Sequence, residues 1–335
     1  MAENFYTDNK DLKFIMEQMM DWKSIIALKE QIGSDDCPYS DPDEAIATYL
    51  EMLRDPVGEL AATRIAPRAE DVDATGCKCE NGQVIFPDGL KRNLQDLCEA
   101  QVMGITVPRK YGGLQFPESV YTAMIEVVSM ADASLMNFFG LQGGIAESIL
   151  QFGTEELRQQ YLPRIASGEF TTAMALTEAD AGSDLAAVQT KAGIEAMQDP
   201  VTGLWKLTGG KRFITNGCGD VILVLARSED PAKKTGARGL SYFLVEKSDK
   251  VVVRRIEHKL GINGSPTCEI YFGAAPAHLI GVRVMGLARY TASLMLAARL
   301  AIGAQAQGIM QAALRECVKY ANEREQFGKP IKEFP

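Results

Sequence analysis

Residues 173–184, AMALTEADAGSD, decide how this chain is read. Their first part continues an apolar run, 172–176, suited to a buried strand. The chain then turns through small and acidic residues, Thr177-Glu178-Ala179-Asp180-Ala181-Gly182-Ser183-Asp184. A loop of small residues lets backbone N–H groups approach a ligand closely, and consecutive N–H groups in a turn form a nest for an anion. Thr177 and Ser183 add hydroxyls that can donate or accept. Alone, the segment reads equally as a strand that closes in a polar turn. A second segment changes this: residues 211–219, KRFITNGCG, form another short strand closing in a Thr-Asn-Gly turn.

Composition bounds the rest. A chain of 335 residues has room for two or three domains. Hydrophobic content of 46% and charged content of 24% describe an ordinary soluble globular protein. The net charge of −9 argues against nucleic acid as a partner. The doublets Lys233-Lys234 and Arg254-Arg255 are too short to reverse that. Seven cysteines, Cys37, Cys77, Cys79, Cys98, Cys218, Cys268 and Cys317, are scattered, and with two histidines they show no zinc spacing, so no metal is expected. Buried, reduced thiols in a cytoplasmic protein are the simplest reading. The N-terminus lacks the pattern of a signal peptide. The most apolar long stretch, 290–314, is interrupted by Arg299, Gln305, Gln307 and Gln311 and reads as a buried helix, not a transmembrane span.

In chain order, residues 8–31 carry Leu12, Ile15, Met16, Met19, Trp22, Ile25 and Ile26 at helical spacing. A second helix is predicted from Asp41 as N-cap and Pro42 as first helical residue, stopping before Pro67. Asn81-Gly82 signals a turn. Helices are predicted over about 89–102, 117–130, 134–151 and 154–167. After Gly168 short β-rich runs alternate with turns, at 171–176, 189–192, 204–208, 212–215, 221–226, 241–245, 251–254 and 269–272. Turns are expected at 199–203, at Gly209-Gly210 and at Lys234-Thr235-Gly236. Such strands suggest a small sandwich or barrel. From Gly286 to Ala321 the pattern is helical again.

The two loops, TE-x-x-AGSD and K-x-FITNG, resemble those of the acyl-CoA dehydrogenase family of flavoenzymes. Other ordered segments are similar to family motifs too: Pro108-Arg109-Lys110-Tyr111-Gly112-Gly113, the FGTEE of Phe152 to Glu156 through Leu162-Pro163, His258-Lys259-Leu260-Gly261 through Thr267, and REQFGKPI from Arg324 to Ile331. The resemblance implies an α+β fold with an N-terminal helical extension (1–40), a helical N-terminal domain (41–170), a β-sandwich or barrel middle domain (171–284) and the start of a C-terminal helical bundle (285–335). The opening residues resemble the large subgroup with an N-terminal extension. No G-x-G-x-x-G lies between a strand and a helix, so a Rossmann site is not indicated. The resemblance implies FAD instead, held between barrel and C-terminal helices. Met174, Leu176 and Thr177 are then expected at the isoalloxazine ring, with Phe213 and Thr215 beside it, and Ser183 near the pyrophosphate or the acyl-CoA. Arg324 and Phe327 are expected to reach the FAD of a neighbouring subunit in a homodimer or homotetramer. Arg299, inside MLAARLAIG, matches an arginine at the base of the family's active site and is expected to be buried there.

The implied reaction is α,β-dehydrogenation of an acyl-CoA to the trans-2-enoyl-CoA in fatty-acid β-oxidation, with electrons passed to electron-transfer flavoprotein. A non-catalytic flavin- or acyl-CoA-binding protein of the same fold is the alternative. In most members a Glu well beyond REQFG is the general base; in others a Glu precedes the helix arginine, where this chain has Ala298. The base is therefore expected beyond Pro335, and residues 1–335, read as a C-terminally truncated member, are expected to be inactive alone. Ala179 replaces a common Pro, Gly281-Val282-Arg283-Val284 replaces an acidic loop, and Pro335 stands where a flavin-contacting Gln is usual.

Overall fold

The structure is a computed structural model that describes residues 4–192, 203–229 and 235–334. Residues 199–202 of the turn expected at 199–203, and the Lys233-Lys234 doublet, lie outside the described residues. The helical pattern of 8–31 breaks into α1 (Lys10–Phe14), a π turn (Ile15–Met19) and α2 (Trp22–Lys29). The break falls where Asp21 starts a new helix by accepting from the Ser24 N–H at 3.2 Å. Asp41 caps α3 (Pro42–Met52) by accepting from the Glu44 N–H at 3.0 Å, as its sequence predicts.

This helix does not stop before Pro67. It continues through π turns at Leu53–Glu59 and Ala61–Ile65 into α4 (Ala66–Thr75). Pro67 sits in the first turn of α4, where the missing N–H and fixed φ are tolerated. The Asn81-Gly82 turn joins β1 (Lys78–Glu80) to β2 (Gln83–Ile85). Helices α5 (Asp88–Glu99), α6 (Glu118–Ala131), α7 (Ala133–Phe152) and α8 (Glu155–Ala166) follow.

An ion pair ties the N-terminal segment to this bundle. Arg109, in the turn read as Pro108 to Gly113, donates both Nη atoms to Glu30, each at 2.9 Å. The Tyr49 hydroxyl donates to the same carboxylate at 2.5 Å. Burial opposes the charge of Arg109, but the bonds to Glu30 outweigh it and hold the guanidinium above its ordinary pKa.

The β region contains β3 (Thr172–Ala175), β4 (Lys191–Ala192), β5 (Trp205–Thr215), β6 (Val221–Arg227), β7 (Leu240–Glu246), β8 (Val251–Ile256) and β9 (Thr267–Ile280). Pairing runs β6–β7, β7–β9, β9–β5, β5–β4 and β4–β6, which closes a ring; β3 adds to β6 in parallel and β8 adds to β9. Gly209-Gly210 is not a turn but the middle of β5, so the runs 204–208 and 212–215 are one strand. Glycine is required there because a Cβ on Gly209, at φ +145°, would lie 2.9 Å from the Thr190 Cα. Sequence alone shows two glycines, and only the neighbouring strand explains them.

After a π turn (Gly286–Thr291), α9 (Ala292–Glu323) runs back across α6 and α7. The crossing is close: a Cβ on Gly308 would lie 2.3 Å from the Glu126 carbonyl oxygen. The small hairpin of β10 (Glu325–Gln326) and β11 (Lys329–Pro330) follows. One side of α9 exposes Leu296, Leu300, Met310, Leu314 and Val318. Among the described residues, no helix is long and apolar enough to cross a membrane.

Candidate active site

The two loops that organise the sequence meet in space. After β3, Glu178 and Ala181 bridge each other, with Glu178 N–H to Ala181 O at 2.9 Å, so the TEADAGSD segment folds back on itself. The Arg212 N–H donates to the Thr177 carbonyl at 2.9 Å, which sets β5 beside Thr177. Beneath this contact lies an ion pair that pattern reading did not identify. Lys211, whose side chain is 0% exposed, donates from Nζ to Glu178 Oε1 and to the Leu176 carbonyl, both at 2.8 Å. Glu178 also accepts from the Thr190 N–H (2.9 Å), the Thr190 hydroxyl (2.6 Å) and the Gln189 N–H (2.7 Å).

Desolvation pushes the Lys211 amine down to about 8, against the pull of Glu178. Burial acts to raise Glu178, yet Lys211 and the donors from Thr190 and Gln189 hold it below the usual carboxylate range. Each member of the pair lies within one of the two quoted motifs. The signal was present, but nothing in a linear pattern shows that the two side chains face each other.

The pair underlies an unusual backbone. Phe213 has φ +61° at a register shift of β5 against β9 between Lys211 and Ile214. A bulky residue in the left-handed region costs about 1–3 kcal/mol and persists where surrounding structure enforces it. The bulge turns the Phe213 ring outward, 51% exposed, with the Arg212 guanidinium 4.7 Å from its centroid. Asn216 closes the turn by donating from Nδ2 to the Thr172 carbonyl at 3.0 Å.

Thr177 and Thr215 are half-buried, and Ser183 is exposed. Met174 is also half-buried, whereas Leu176, 5% exposed, packs its side chain into the core. These expected residues therefore cluster around two adjoining turns. Arg324 and Phe327 do not join them: both are exposed on the hairpin after α9, and the Phe327 ring meets Phe334 at 6.1 Å. Arg299 is not buried as expected but exposed on α9. Its apolar neighbours Leu296 and Leu300 are exposed too, so the local hydrophobicity of MLAARLAIG does not report burial.

A cavity of about 280 Å³ lies among α6, α7 and α9, lined by Tyr121, Ile125, Gly144, Leu294 and Ala298 and reaching Met174 of β3. Two carboxylates line it as well, Glu118 and Glu147, which pattern reading did not single out. Desolvation by the surrounding protein, and then the Glu147 carboxylate, raise the Glu118 pKa; Lys29 opposes them.

Three family models match the chain: the N-terminal domain of acyl-CoA dehydrogenase over residues 49–169, its middle domain over 173–275 and its C-terminal domain over 285–335. A 3-methylmercaptopropionyl-CoA dehydrogenase of Ruegeria pomeroyi is 31% identical over 340 residues, covering 96% of this chain and 54% of that relative. Among solved structures, one of the electron transferring flavoprotein of Acidaminococcus fermentans matches with 32% identity and TM-score 0.74, covering 84% of this chain and 70% of that one. The butyryl-CoA dehydrogenase of Megasphaera elsdenii matches with 26% identity and TM-score 0.74, covering 86% and 71%. The chain thus spans about half the length of the first relative and about 70% of the solved chains. With its helical bundle, closed strand ring and returning helix matched in order by these models, the chain belongs to the acyl-CoA dehydrogenase family.

Proposed function

We propose that this chain carries the flavin and acyl sites of an FAD-dependent acyl-CoA dehydrogenase that converts an acyl-CoA thioester to its trans-2-enoyl-CoA and passes electrons to electron-transfer flavoprotein. The observation that carries the reading is the cavity among α6, α7 and α9. It ends at Met174, on the strand that leads directly into Thr177. An apolar chain would lie in that cavity with its reacting carbons toward the two turns.

The residues at the turns suit the cofactor. Thr177 and Thr215 offer hydroxyls for a polar ring edge, Phe213 offers an outward aromatic face, and the exposed backbone of Ala179, Asp180 and Gly182 suits the approach of a phosphate. Bound FAD would supply the acceptor for the β-hydride. The chain's own contribution is positional: the Glu178–Lys211 pair sets the two turns at a fixed spacing, and the bulge presents Phe213. On this reading Ser183 lies toward the pyrophosphate or the acyl-CoA, and Arg299 toward the acyl site. Arg324 and Phe327 extend to the cofactor of a neighbouring copy in a homodimer or homotetramer. A carboxylate that removes the α-proton is worth roughly 10²–10⁴ in rate. All seven cysteines are free thiols, which supports a cytoplasmic setting.

Purification of the protein with added FAD tests the reading. Retention of one FAD per chain is expected, and Thr177→Ala combined with Ser183→Ala should weaken it. Reduction of the bound flavin by an acyl-CoA between butanoyl and hexadecanoyl separates the enzyme from a non-catalytic binding protein. Absence of flavin binding would overturn the proposal.

A further inference from the structure

Just past Thr215, the turn between β5 and β6 brings Cys218 close to Cys268 of β9. Cys218 lies in that turn, where its thiol points to Asn216 Oδ1 at 3.5 Å. Cys268, on β9 opposite Ile214, is 0% exposed and is hydrogen-bonded through its side chain to Cys218. The backbone is pinched here: a Cβ on Gly217 would lie 2.8 Å from the Cys268 Cβ, so the residue just before Cys218 passes directly over Cys268. A disulfide needs Cβ atoms about 3.5–4.5 Å apart, a spacing that neighbouring chains this close can reach with little backbone movement. Both thiols are free in the structure.

The two sulfurs differ in access and charge. Cys218 lines a cleft of about 110 Å³ together with Phe86, Gly219 and Lys247. That volume exceeds the roughly 30 Å³ share of one water molecule, so a small hydroperoxide fits. Cys268 has no such opening. The hydrogen bond from Cys268 lowers the Cys218 pKa, and Lys247 adds to this, while burial and Asp220 oppose it. Cys77, whose thiol lies 3.0 Å from the Gly264 carbonyl, is also close enough to interact with Cys218. For Cys268, the same hydrogen bond and burial push the thiol far up, so it keeps its proton. The thiolate is the nucleophilic form, and ionisation is favoured on the accessible sulfur over the buried one.

We propose that Cys218 is a hydroperoxide-reactive modification site and that Cys268 is its resolving partner. In the first step the Cys218 thiolate attacks one peroxide oxygen. The O–O bond breaks, hydroxide or an alkoxide leaves and takes up a proton, and the sulfur is oxidised to a sulfenic acid as the peroxide gains two electrons. In the second step the Cys268 sulfur attacks the sulfenic sulfur. The S–O bond breaks, an S–S bond forms, and the Cys268 proton leaves with the hydroxyl as water. The product ties the turn after Thr215 to β9, at the end of the strand that carries Phe213. This step needs no flavin and stands apart from the dehydrogenase reading.

The test uses the protein with Cys317→Ser, since Cys317 is the exposed thiol that would otherwise compete. Hydrogen peroxide is added, and peptides are mapped by mass spectrometry without reduction. The expected product is a Cys218–Cys268 cross-link with loss of two hydrogens, reversed by dithiothreitol. Cys268→Ala should leave a sulfenic acid at Cys218 that dimedone traps, and Cys218→Ser should leave Cys268 unmodified. A link from Cys218 to Cys77, oxidation of Cys77 or Cys79 ahead of Cys218, or no dimedone adduct in Cys268→Ala would overturn the proposal. Should Cys268→Ala fail to fold, the cross-link map of the Cys317→Ser protein decides by itself.

Discussion

Two buried carboxylates, one in each half of the molecule, are held by different cations. In the helical half Glu30 is gripped by Arg109, which presents two nitrogens at 2.9 Å and remains 23% exposed. In the barrel half Glu178 is held by the single nitrogen of Lys211, which is wholly enclosed. The arginine keeps its charge whatever its surroundings, because its plane is delocalised and its fork matches the carboxylate. The lysine is a compact charge whose proton affinity falls when water is removed, hence its pKa of about 8. The first pair fastens one segment onto another. The second joins two turns at the proposed cofactor site and also bonds the backbone, so it controls geometry as well as attachment.

Breaking the barrel pair should have the larger effect. Lys211→Met leaves Glu178 buried without its cation, which typically costs about 3–5 kcal/mol. Denaturant unfolding should show that loss, and Lys211→Met with Glu178→Leu should recover much of it. A single variant within about 1 kcal/mol of the wild type would mean that Thr190 and Gln189 alone support the carboxylate. Arg109→Met should cost less, about 1.5–3 kcal/mol for lost charged hydrogen bonds, because solvent reaches Arg109, though not Glu30, so water can enter the space the side chain leaves, and Tyr49 still donates. Hydrogen exchange should then speed up over residues 4–40 and not in β5; acceleration in both regions would remove the distinction. Asp41→Ala, the loss of an exposed cap on α3, should cost about 1 kcal/mol and provides a scale for the other two.

The finest distinction is one of pH. Lys211 has a folded pKa of about 8 against an ordinary value of 10.5. Between those values the unfolded chain binds more protons at this position, so the group's contribution to stability rises with pH across that window. The stability gap between wild type and Lys211→Met should therefore widen from pH 8 to 10. The gap for Arg109→Met should stay flat, because arginine does not titrate there. Parallel curves would show that burial of Lys211 is relieved in solution.

Much of this architecture was legible from residue order. The cap at Asp41, the turn at Asn81-Gly82, the strand of residues 172–176 and the Thr-Asn-Gly turn depend on local chemistry, and the structure contains each. What was illegible depends on neighbours distant in sequence. Gly209-Gly210 resembled a turn because only Thr190, pressed against it, reveals that the strand runs through. Pro67 resembled a stop because a preceding π turn that resets the helix has no residue signature. The apolar neighbours of Arg299 suggest burial, although they face outward as well. Scattered cysteines suggest buried thiols, yet only Cys268 is buried, and Cys317 is exposed. The Glu118 and Glu147 carboxylates meet one cavity only because α6 and α7 lie against each other.

The strand ring has a further consequence, for behaviour at high concentration. A sheet normally ends in two rows of unpaired N–H and C=O groups that can template pairing with another molecule. Closure through β4 and β6 removes those rows from five strands and leaves β3 and β8 as the added margins. Helix α7 packs against β3. On β8, Arg254 and Arg255 are exposed, and the β1–β2 hairpin lies alongside, with the Val253 carbonyl 3.4 Å from where a Cβ on Gly82 would be. Replacing both arginines with valine would strip the charge from that margin. Intermolecular strand addition should then begin at β8, even though Arg254 and Arg255 take no part in the proposed chemistry.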